Sequence, residues 1–252
     1  MGKRAFTMLM AVLGAILLLL IFFPVVRIVL SVSPGELLDT LRETEVTASI
    51  LLTLRASLWA TLLAGLFGIP LAYLLARKEF RGKRLIEGLV DLPVIIPHTA
   101  AGIALLVVIG RHSLLHRLTS VQLVGTEAAI VLAMFFVSAP FLINGAKEGF
   151  RGVDPRYEKT AVTLGASPAR AFFSVTFPMA RKSVVSGMLM MWGRGISEFG
   201  AVVILAYHPK TAPVLIFERF QNFGLDHAVG VTVLLILVSL AIFTGIRYLT
   251  RK

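Results

Sequence analysis

The chain contains no cysteine among its 252 residues. Disulfides, thiol nucleophiles and cysteine-ligated metals are therefore excluded. The five histidines show no zinc-site spacing, and His112 and His116, four residues apart, have no acidic neighbour to complete a site. We therefore expect no catalytic residue, no metal site and no bound cofactor in this chain.

A phosphate-binding loop is also missing. The pattern GxxxxGK followed by Ser or Thr does not occur, because Gly82-Lys83 precedes Arg84 and lacks a glycine-rich lead-in. If ATP drives this protein, the nucleotide must bind to another polypeptide. The chain is thus predicted not to be an enzyme.

Acidic residues are scarce, 14 against 25 Lys and Arg, which gives a formal net charge of +11. Nucleic-acid binding would need aromatic or polar readout residues beside the basic ones, and none stand there. The basic residues instead gather between long apolar runs. By the positive-inside rule, their distribution places both termini and residues 154–178 in the cytoplasm.

Apolar residues make up 57% of the chain and the mean hydropathy is +0.86, too high for a soluble domain. Runs of about 18 or more apolar residues predict membrane-spanning helices. Six such runs cover residues 6–30, 46–76, 86–110, 126–149, 183–206 and 227–249. The first is too long for a signal peptide and has no cleavage site. We therefore expect an all-α, multi-pass protein of the cytoplasmic membrane, embedded in lipid, with residues 1–252 forming a single domain.

Residues 154–178 form a polar, helical segment between the fourth and fifth predicted spans. Asp154-Pro155 is a helix start signal, a capping side chain followed by proline at the first helical position, and Ser167 begins a second one. Gly165 stands where the first helix is expected to stop. The pattern predicts two short cytoplasmic helices joined by a sharp turn, typical of a surface that another protein grips.

The spacing in this segment resembles the cytoplasmic coupling motif of ABC-transporter permeases, which is Glu-Ala-Ala, three residues, Gly, nine residues and Ile-x-Leu-Pro. The matching positions are, in order, Ala161, Gly165, Val175, Phe177 and Pro178. The first two motif positions are instead Lys159 and Thr160, with Glu158 one residue upstream. A chance amphipathic hairpin at the membrane surface is the alternative interpretation.

The resemblance implies a homodimer of this chain, bound to two ATP-binding-cassette ATPase subunits inside and to one extracytoplasmic solute-binding protein. The first coupling helix would lie in a groove of the ATPase, with Glu158, Ala161 and Gly165 on the docked surface. The full set expected in the ATPase-coupling segment is Asp154, Pro155, Glu158, Ala161, Gly165, Val175, Phe177 and Pro178.

Three charged residues fall inside predicted spans: Arg55, Arg194 and Glu198. Each costs about 2.5–3.5 kcal/mol at bilayer depth, so each is a candidate functional residue. Arg194 and Glu198 are four residues apart and are predicted to pair, as a structural or as a gating pair. Arg55 has no partner in its own helix, and it either lines a pathway or reaches the outer surface. Our hypothesis is that Arg55 or Arg194 offers positive charge to a passing dianion.

Residues 194–201 are similar to the Arg-x-x-x-Glu-Phe-Gly-Ala stretch of oxyanion permeases, the molybdate, tungstate and sulfate group. Residues 91–105 resemble their Leu-Pro-x-x-x-Pro segment, with His98 where a second proline is expected. Residues 196–220 are similar to archaeal tungstate/molybdate permeases, which implies a prokaryotic, archaeal source. The candidate pathway or gate residues are Arg55, Arg194, Glu198, Phe199 and Gly200.

The prolines of residues 91–97 leave two alternatives, a broken helix beside a pathway or a simple kink at the cytoplasmic interface. Residues 208–223 are predicted to form a helix or docking surface outside the membrane. Because the chain ends directly after the sixth span, we expect no C-terminal regulatory domain.

Other functions remain as alternatives to a tungstate/molybdate importer. A sulfate or thiosulfate ABC permease has the same architecture. An ion-coupled secondary transporter should show repeated halves, which are not visible. An intramembrane hydrolase would use Ser197, for which the sequence offers no paired base.

Overall fold

The protein is described by a computed structural model over residues 2–250, and its regular structure there is entirely helical, as predicted. In chain order the α-helices are α1 (Lys3–Val29), α2 (Pro34–Arg42), α3 (Thr44–Arg77), α4 (Lys83–Ile95), α5 (His98–Ile109), α6 (Leu114–Thr119), α7 (Glu127–Arg151), α8 (Pro155–Thr163), α9 (Pro168–Ala171), α10 (Phe177–Ile196), α11 (Gly200–Leu205), α12 (Ala212–Phe223) and α13 (Leu225–Thr250).

Four helices, α1, α3, α7 and α13, are long and apolar enough to cross a membrane. They correspond to the first, second, fourth and sixth predicted spans, with small shifts at the ends. The pair α4–α5 supplies a fifth span if it is taken as one bent unit. The chain is therefore an all-α, polytopic membrane protein.

The third predicted span is not one helix, because α4 and α5 meet at 113°. Pro93 lies inside α4, and Pro97 directly precedes α5. A proline has no N–H to donate to the helical ladder, and the residue before it avoids helical geometry. Of the two alternatives, the structure contains the broken helix, and the simple kink is wrong.

The fifth predicted span, residues 183–206, is divided between α10 and α11 by a break at residues 197–199. α10 carries three basic residues, Arg181, Lys182 and Arg194. By length and composition the described residues thus contain four spans, or five with the bent pair, against six predicted.

The second helix of the coupling segment continues through Pro178 instead of ending there. α9 leads into a π-helical turn, Phe172–Thr176, and then into α10. The ring of Pro178 would clash with the carbonyl of Ser174 in a regular helix, and the wider turn relieves that crowding. The coupling segment is consequently continuous with the next long helix of the bundle.

The bundle is centred on α3, α7 and α10, which pack against one another. α4, α5 and α11 cover α7, whereas α12 and α13 pack beside α3 and each other. α1 contacts α13 and has no buried residue. Its apolar surface is therefore open to lipid.

Glycines let α7 and α10 approach closely. A Cβ atom at Gly145 would lie 3.0 Å from Gly187 Cα, and one at Gly149 would lie 2.5 Å from Ser183 Cβ. In a membrane the hydrophobic effect does not drive helices together. Small residues at such crossings therefore stabilise the helix contact through close van der Waals packing. Gly195 likewise lies against Ser57 of α3.

We expect Gly149→Ala to destabilise the bundle by about 1–3 kcal/mol, because the added methyl group overpacks the crossing of α7 and α10. Gly245→Ala is the matched control, since nothing lies within 4 Å of a Cβ at that position of α13. Thermal unfolding of both variants in detergent, followed by tryptophan fluorescence, measures the difference. Equal melting temperatures for the two variants would show that the close approach is unimportant.

Candidate functional site: the coupling segment and the broken-helix cluster

Two capped starts and one glycine turn fix the backbone of the coupling segment, as predicted. The Asp154 carboxylate accepts the N–H of Arg156 at 2.8 Å, with Pro155 at the first helical position. The Ser167 hydroxyl accepts the N–H of Arg170 at 3.2 Å. Both helix starts are therefore determined by residues within the segment itself.

Gly165 ends α8 with a φ angle of +93°, a conformation that strains any residue with a side chain. Its N–H donates to the Val162 carbonyl at 2.9 Å, and the next N–H, of Ala166, donates to the Ala161 carbonyl at 3.0 Å. This pair of bonds is a Schellman motif, which satisfies the last carbonyls of a helix. The turn that directs α9 back to the bundle thus depends on Gly165.

The Glu158 side chain points toward α3 of its own chain. Arg77 Nε donates to Glu158 Oε1 at 2.7 Å, and the Tyr73 hydroxyl donates to Oε2 at 3.0 Å. Only 7% of the Arg77 side chain and 17% of the Glu158 side chain are exposed. Glu158 was predicted on the docked surface, but in this structure its carboxylate is engaged inside the chain.

The environment of Glu158 lowers its pKa below the usual value. Burial acts to raise the pKa, but the neighbouring polar groups, Arg77 and Tyr73 among them, stabilise the carboxylate and outweigh burial. The ion pair stabilises the folded chain at neutral pH, and this stabilisation is lost as pH falls through the lowered pKa.

Large apolar side chains of α8 and its end remain exposed to solvent. Leu164 is 83% exposed and Tyr157 is 53% exposed, and Val162 is also exposed. Sequence reasoning missed these residues, although large apolar side chains in a polar cytoplasmic segment were the available signal. Exposed apolar residues at such a position are typical of a protein–protein contact.

Aromatic rings hold the second half of the segment against the bundle. The ring of Phe172 lies 4.8 Å from that of Tyr73, 5.8 Å from Phe150 and 5.9 Å from Phe177. Edge-to-face and tilted pairs at such distances are favourable. Of the other predicted residues, Val175 is half-buried and Pro178 is exposed.

A second cluster contains the predicted pair of Arg194 and Glu198, which is confirmed. Arg194 Nη2 lies 2.9 Å from Glu198 Oε2, and His98 Nδ1 lies 3.1 Å from the same oxygen. The other Glu198 oxygen accepts the N–H of Ala201 at 2.9 Å and caps α11. Glu198 is fully buried. The sequence had marked His98 only as a departure from a motif.

This cluster joins the two helix breaks. His98 is the first residue of α5, directly after the bend, and Glu198 lies in the break between α10 and α11. A Cβ at Gly200 would lie 2.8 Å from His98 Cβ, so only glycine permits this approach. The neighbouring Phe199 ring packs 4.9 Å from that of Phe217 on α12. Predicted gate residues 198–200 are thus brought together with His98.

Arg55 does not belong to that cluster. Its Nε and Nη2 donate to the two carboxylate oxygens of Glu127 at 2.8 and 2.5 Å, and 53% of its side chain is exposed. At 1.5 Å per residue, Arg55 is about 33 Å from Arg77 along α3, whereas the hydrocarbon core is about 30 Å thick. Arg55 is therefore paired with α7 and lies about one hydrocarbon thickness from Arg77 along α3.

The predicted outer segment contains α12, which ion pairs fix to the start of α3. Lys210 Nζ lies 2.8 Å from both Glu45 and Glu218, and Arg219 lies 2.6 Å from Glu43. The carboxylates, Glu218 first, raise the pKa of Lys210, and Lys210 lowers the pKa of Glu218. The N-terminal end of α3 is therefore held by charge pairs, as its C-terminal end is by Arg77 and Glu158.

Comparison with known proteins identifies the family. The model described as "Binding-protein-dependent transport system inner membrane component" matches residues 68–252. The chain belongs to this family. It is thus the membrane component of a transport system.

Alignments with relatives of this inner-membrane component cover between 80% and 100% of the chain. It is 42% identical over 255 residues to the molybdate/tungstate transport system permease protein of Pyrococcus abyssi, covering 100% of this chain and 99% of the relative. The protein of the same description from Pyrococcus furiosus is 44% identical over 244 residues, covering 95% and 93%. A probable sulfate transport system permease protein of Chlorokybus atmophyticus is 33% identical over 209 residues, covering 80% and 73%.

The fold of the inner-membrane component is also similar to solved structures. A chain of the bacterial ABC transporter involved in the import of alginate superimposes with a TM-score of 0.78. The alignment covers 99% of this chain and 96% of that one at 15% identity, which establishes a common fold.

The family match covers some of the candidate residues of the inner-membrane component and not others. Both the coupling segment and the Arg194–Glu198 cluster fall within residues 68–252, as does Arg77. Arg55 precedes the matched region. The family match therefore covers the coupling segment and the Arg194–Glu198 cluster but not Arg55.

We expect Arg194→Met to destabilise the inner-membrane component by about 3–5 kcal/mol, because it leaves the buried Glu198 carboxylate without its strongest partner. Adding Glu198→Gln should recover part of this loss, since the uncompensated charge is then gone. Thermal unfolding in detergent of the two single variants and the double variant tests this non-additivity. Strictly additive losses would mean that Arg194 and Glu198 are not energetically coupled.

Proposed function

We propose that this inner-membrane component is the permease of an ATP-driven importer of molybdate and tungstate, with ATP hydrolysis on a separate subunit. The observation that carries the proposal is the identity of 42–44% to molybdate/tungstate permeases over nearly the full chain. A shared substrate class is the simplest reason for such similarity along every span, break and loop.

The geometry of the coupling segment supports docking of an ATPase subunit. α8 has ordered caps at both ends and presents Tyr157 and Leu164 to solvent. At the same time Phe172 and Glu158 attach the segment to α3. A surface that is both exposed and firmly attached suits the transfer of a conformational change from the ATPase to the spans.

The proposed assembly contains two copies of the permease, two ATPase subunits and one extracytoplasmic solute-binding protein. On the outer side, α12 exposes the aromatic residues Phe217, Phe220 and Phe223 and is fixed to α3 by ion pairs. Exposed aromatic side chains on a rigid helix suit a protein interface. We assign this face to the solute-binding protein, with both chain termini in the cytoplasm.

The charge pairs limit how tightly the permease itself holds an oxyanion. Arg194 is neutralised by Glu198, and Arg55 by Glu127. Our initial hypothesis that either arginine meets the dianion therefore requires the pair to open. Release also demands weak binding inside the pathway. Selection of the substrate is accordingly assigned to the solute-binding protein.

A sulfate permease is the second candidate function. It is favoured by the 33% identity to the probable sulfate permease of Chlorokybus atmophyticus, although that match covers less of the chain. Sulfate, molybdate and tungstate are all tetrahedral dianions, so the permease pathway alone does not discriminate strongly among them. A hydrolase is disfavoured, because the Ser197 hydroxyl accepts a hydrogen bond from Arg194 Nη1 at 3.2 Å and donates one to the Arg194 carbonyl at 3.0 Å.

We expect vesicles that contain the permease, its cognate ATPase and the solute-binding protein to take up labelled tungstate and molybdate when ATP is supplied. Gly165→Pro should abolish uptake, because proline cannot adopt the φ of +93° or donate the bond to Val162. Gly82→Pro is the control, since Gly82 has a comparable φ of +90° in the other cytoplasmic turn, between α3 and α4.

Uptake of sulfate alone would support the second candidate function. Uptake without ATP would contradict the ATP-driven importer. Equal loss of uptake in the Gly165 and Gly82 variants would show that the effect is not specific to the coupling segment.

We also expect Leu164→Asp to weaken binding of the ATPase subunit to the permease by about tenfold or more, because an exposed apolar contact is replaced by a charge. Leu118→Asp is the matched control, since Leu118 is similarly exposed but lies on α6, away from the coupling segment. Affinities measured in detergent by surface plasmon resonance separate the two variants. An unchanged affinity for Leu164→Asp would exclude Leu164 from the docked surface.

A further inference from the structure

α3 extends from the coupling segment to the outer segment. It contains 34 residues, which corresponds to about 50 Å of α-helix. At its inner end Arg77 pairs with Glu158 of α8, and at its outer end Glu45 pairs with Lys210 and Arg219. Both ends of one helix are thus fixed by charge pairs to the two segments that face the proposed partners.

We propose that the Arg77–Glu158 pair is the link through which displacement of α8 moves α3, which makes Glu158 a positioning residue and not part of the docked surface. The inference rests on the proposed function, because it requires an ATPase that moves α8.

The geometry of the Arg77–Glu158 pair supports a mechanical role. The carboxylate is held at both oxygens, one by Arg77 Nε and the other by the Tyr73 hydroxyl, which lies one helical turn earlier on α3. Two donors on one helix fix the orientation of the carboxylate as well as its position. A rotation of α8 therefore cannot occur without either moving α3 or breaking these bonds.

Burial makes breaking these bonds unfavourable. The Arg77 side chain is almost fully buried, and its second terminal nitrogen, Nη2, has no hydrogen-bond partner in the described residues. Separating the pair would leave further charge unpaired in a region of low dielectric, which costs several kcal/mol. Moving α3 together with α8 is the alternative that keeps the charges paired.

The backbone also attaches α8 to the bundle at both ends, through residues 152–154 to α7 and through Gly165 to α9. α8 packs on α9 and the π-helical turn, but the backbone between α8 and α9 reverses at this glycine. A glycine turn bends more easily than a buried ion pair separates. The Arg77–Glu158 pair is consequently a stiffer connection than the turn at Gly165.

α3 also passes motion on to the rest of the bundle. The Ser57 hydroxyl donates to the Trp192 carbonyl of α10 at 2.7 Å, and Arg55 pairs with Glu127 of α7. Thr53 accepts the N–H of Ala212 at the start of α12 at 2.8 Å. A displacement that enters α3 at Arg77 therefore reaches α7, α10 and the outer segment through direct bonds.

The test uses the complete transporter in vesicles with Glu158→Gln, Arg77→Met and the charge-exchanged double variant Arg77→Glu/Glu158→Arg. We expect each single variant to bind the ATPase with unchanged affinity but to lower tungstate uptake per ATP hydrolysed by about tenfold. The double variant should recover more than half of the lost coupling, because a pair of opposite charges is restored.

Glu79→Gln is the matched control. It removes the acidic partner of Lys83 from an ion pair that does not connect α8 to α3. Its coupling should equal that of the unmodified permease. If the single variants fold poorly, Tyr73→Phe removes only the second donor to Glu158, and we expect it to lower coupling about twofold to fivefold at unchanged ATPase affinity.

Each contrary outcome has a distinct meaning. Normal coupling in Glu158→Gln, Arg77→Met and Tyr73→Phe would overturn the link. Loss of ATPase affinity in Glu158→Gln with normal affinity in Arg77→Met would also overturn it and return Glu158 to the docked surface. Absence of ATP-dependent uptake in the unmodified transporter would instead refute the proposed function.

Discussion

The buried carboxylate of Glu198 is the interaction on which the arrangement of the membrane region depends. Inside a bilayer every backbone N–H and carbonyl must find a partner, so a helix can break only where other groups replace the lost bonds. Glu198 caps α11 with one oxygen and binds Arg194 and His98 with the other. Two broken helices, α4–α5 and α10–α11, are thereby joined at their breaks, and the cost of a buried charge is offset locally.

The contact between α3 and α8 follows the same principle with a different result. Glu158 is also a partly buried carboxylate held by an arginine, but its partners lie on a long span and not on a neighbouring break. One ion pair therefore joins two helix breaks, while the other connects the short helix α8 to the long helix α3. These two roles suit a permease in which the proposed ATPase acts on one surface and the pathway opens at another place.

Sequence patterns predicted the features that depend on neighbouring residues. The four long apolar helices, the capped starts at Asp154 and Ser167 and the turn at Gly165 arise from hydropathy and from capping chemistry within a few residues. The pairing of Arg194 with Glu198 was predictable because both lie one helical turn apart. Such local patterns did not identify Glu127 as the partner of Arg55, because the two residues are far apart along the chain.

The sequence by itself thus determined an all-α membrane protein of the binding-protein-dependent transport family, with a capped polar segment between two of its apolar runs. Only the tertiary structure decided where the polar side chains point. It turned Glu158 inward to Arg77, exposed Leu164, and placed His98 beside Glu198. The physical reason is that local propensity fixes helix limits, whereas the partner of a buried charge is set by which distant helices pack against it.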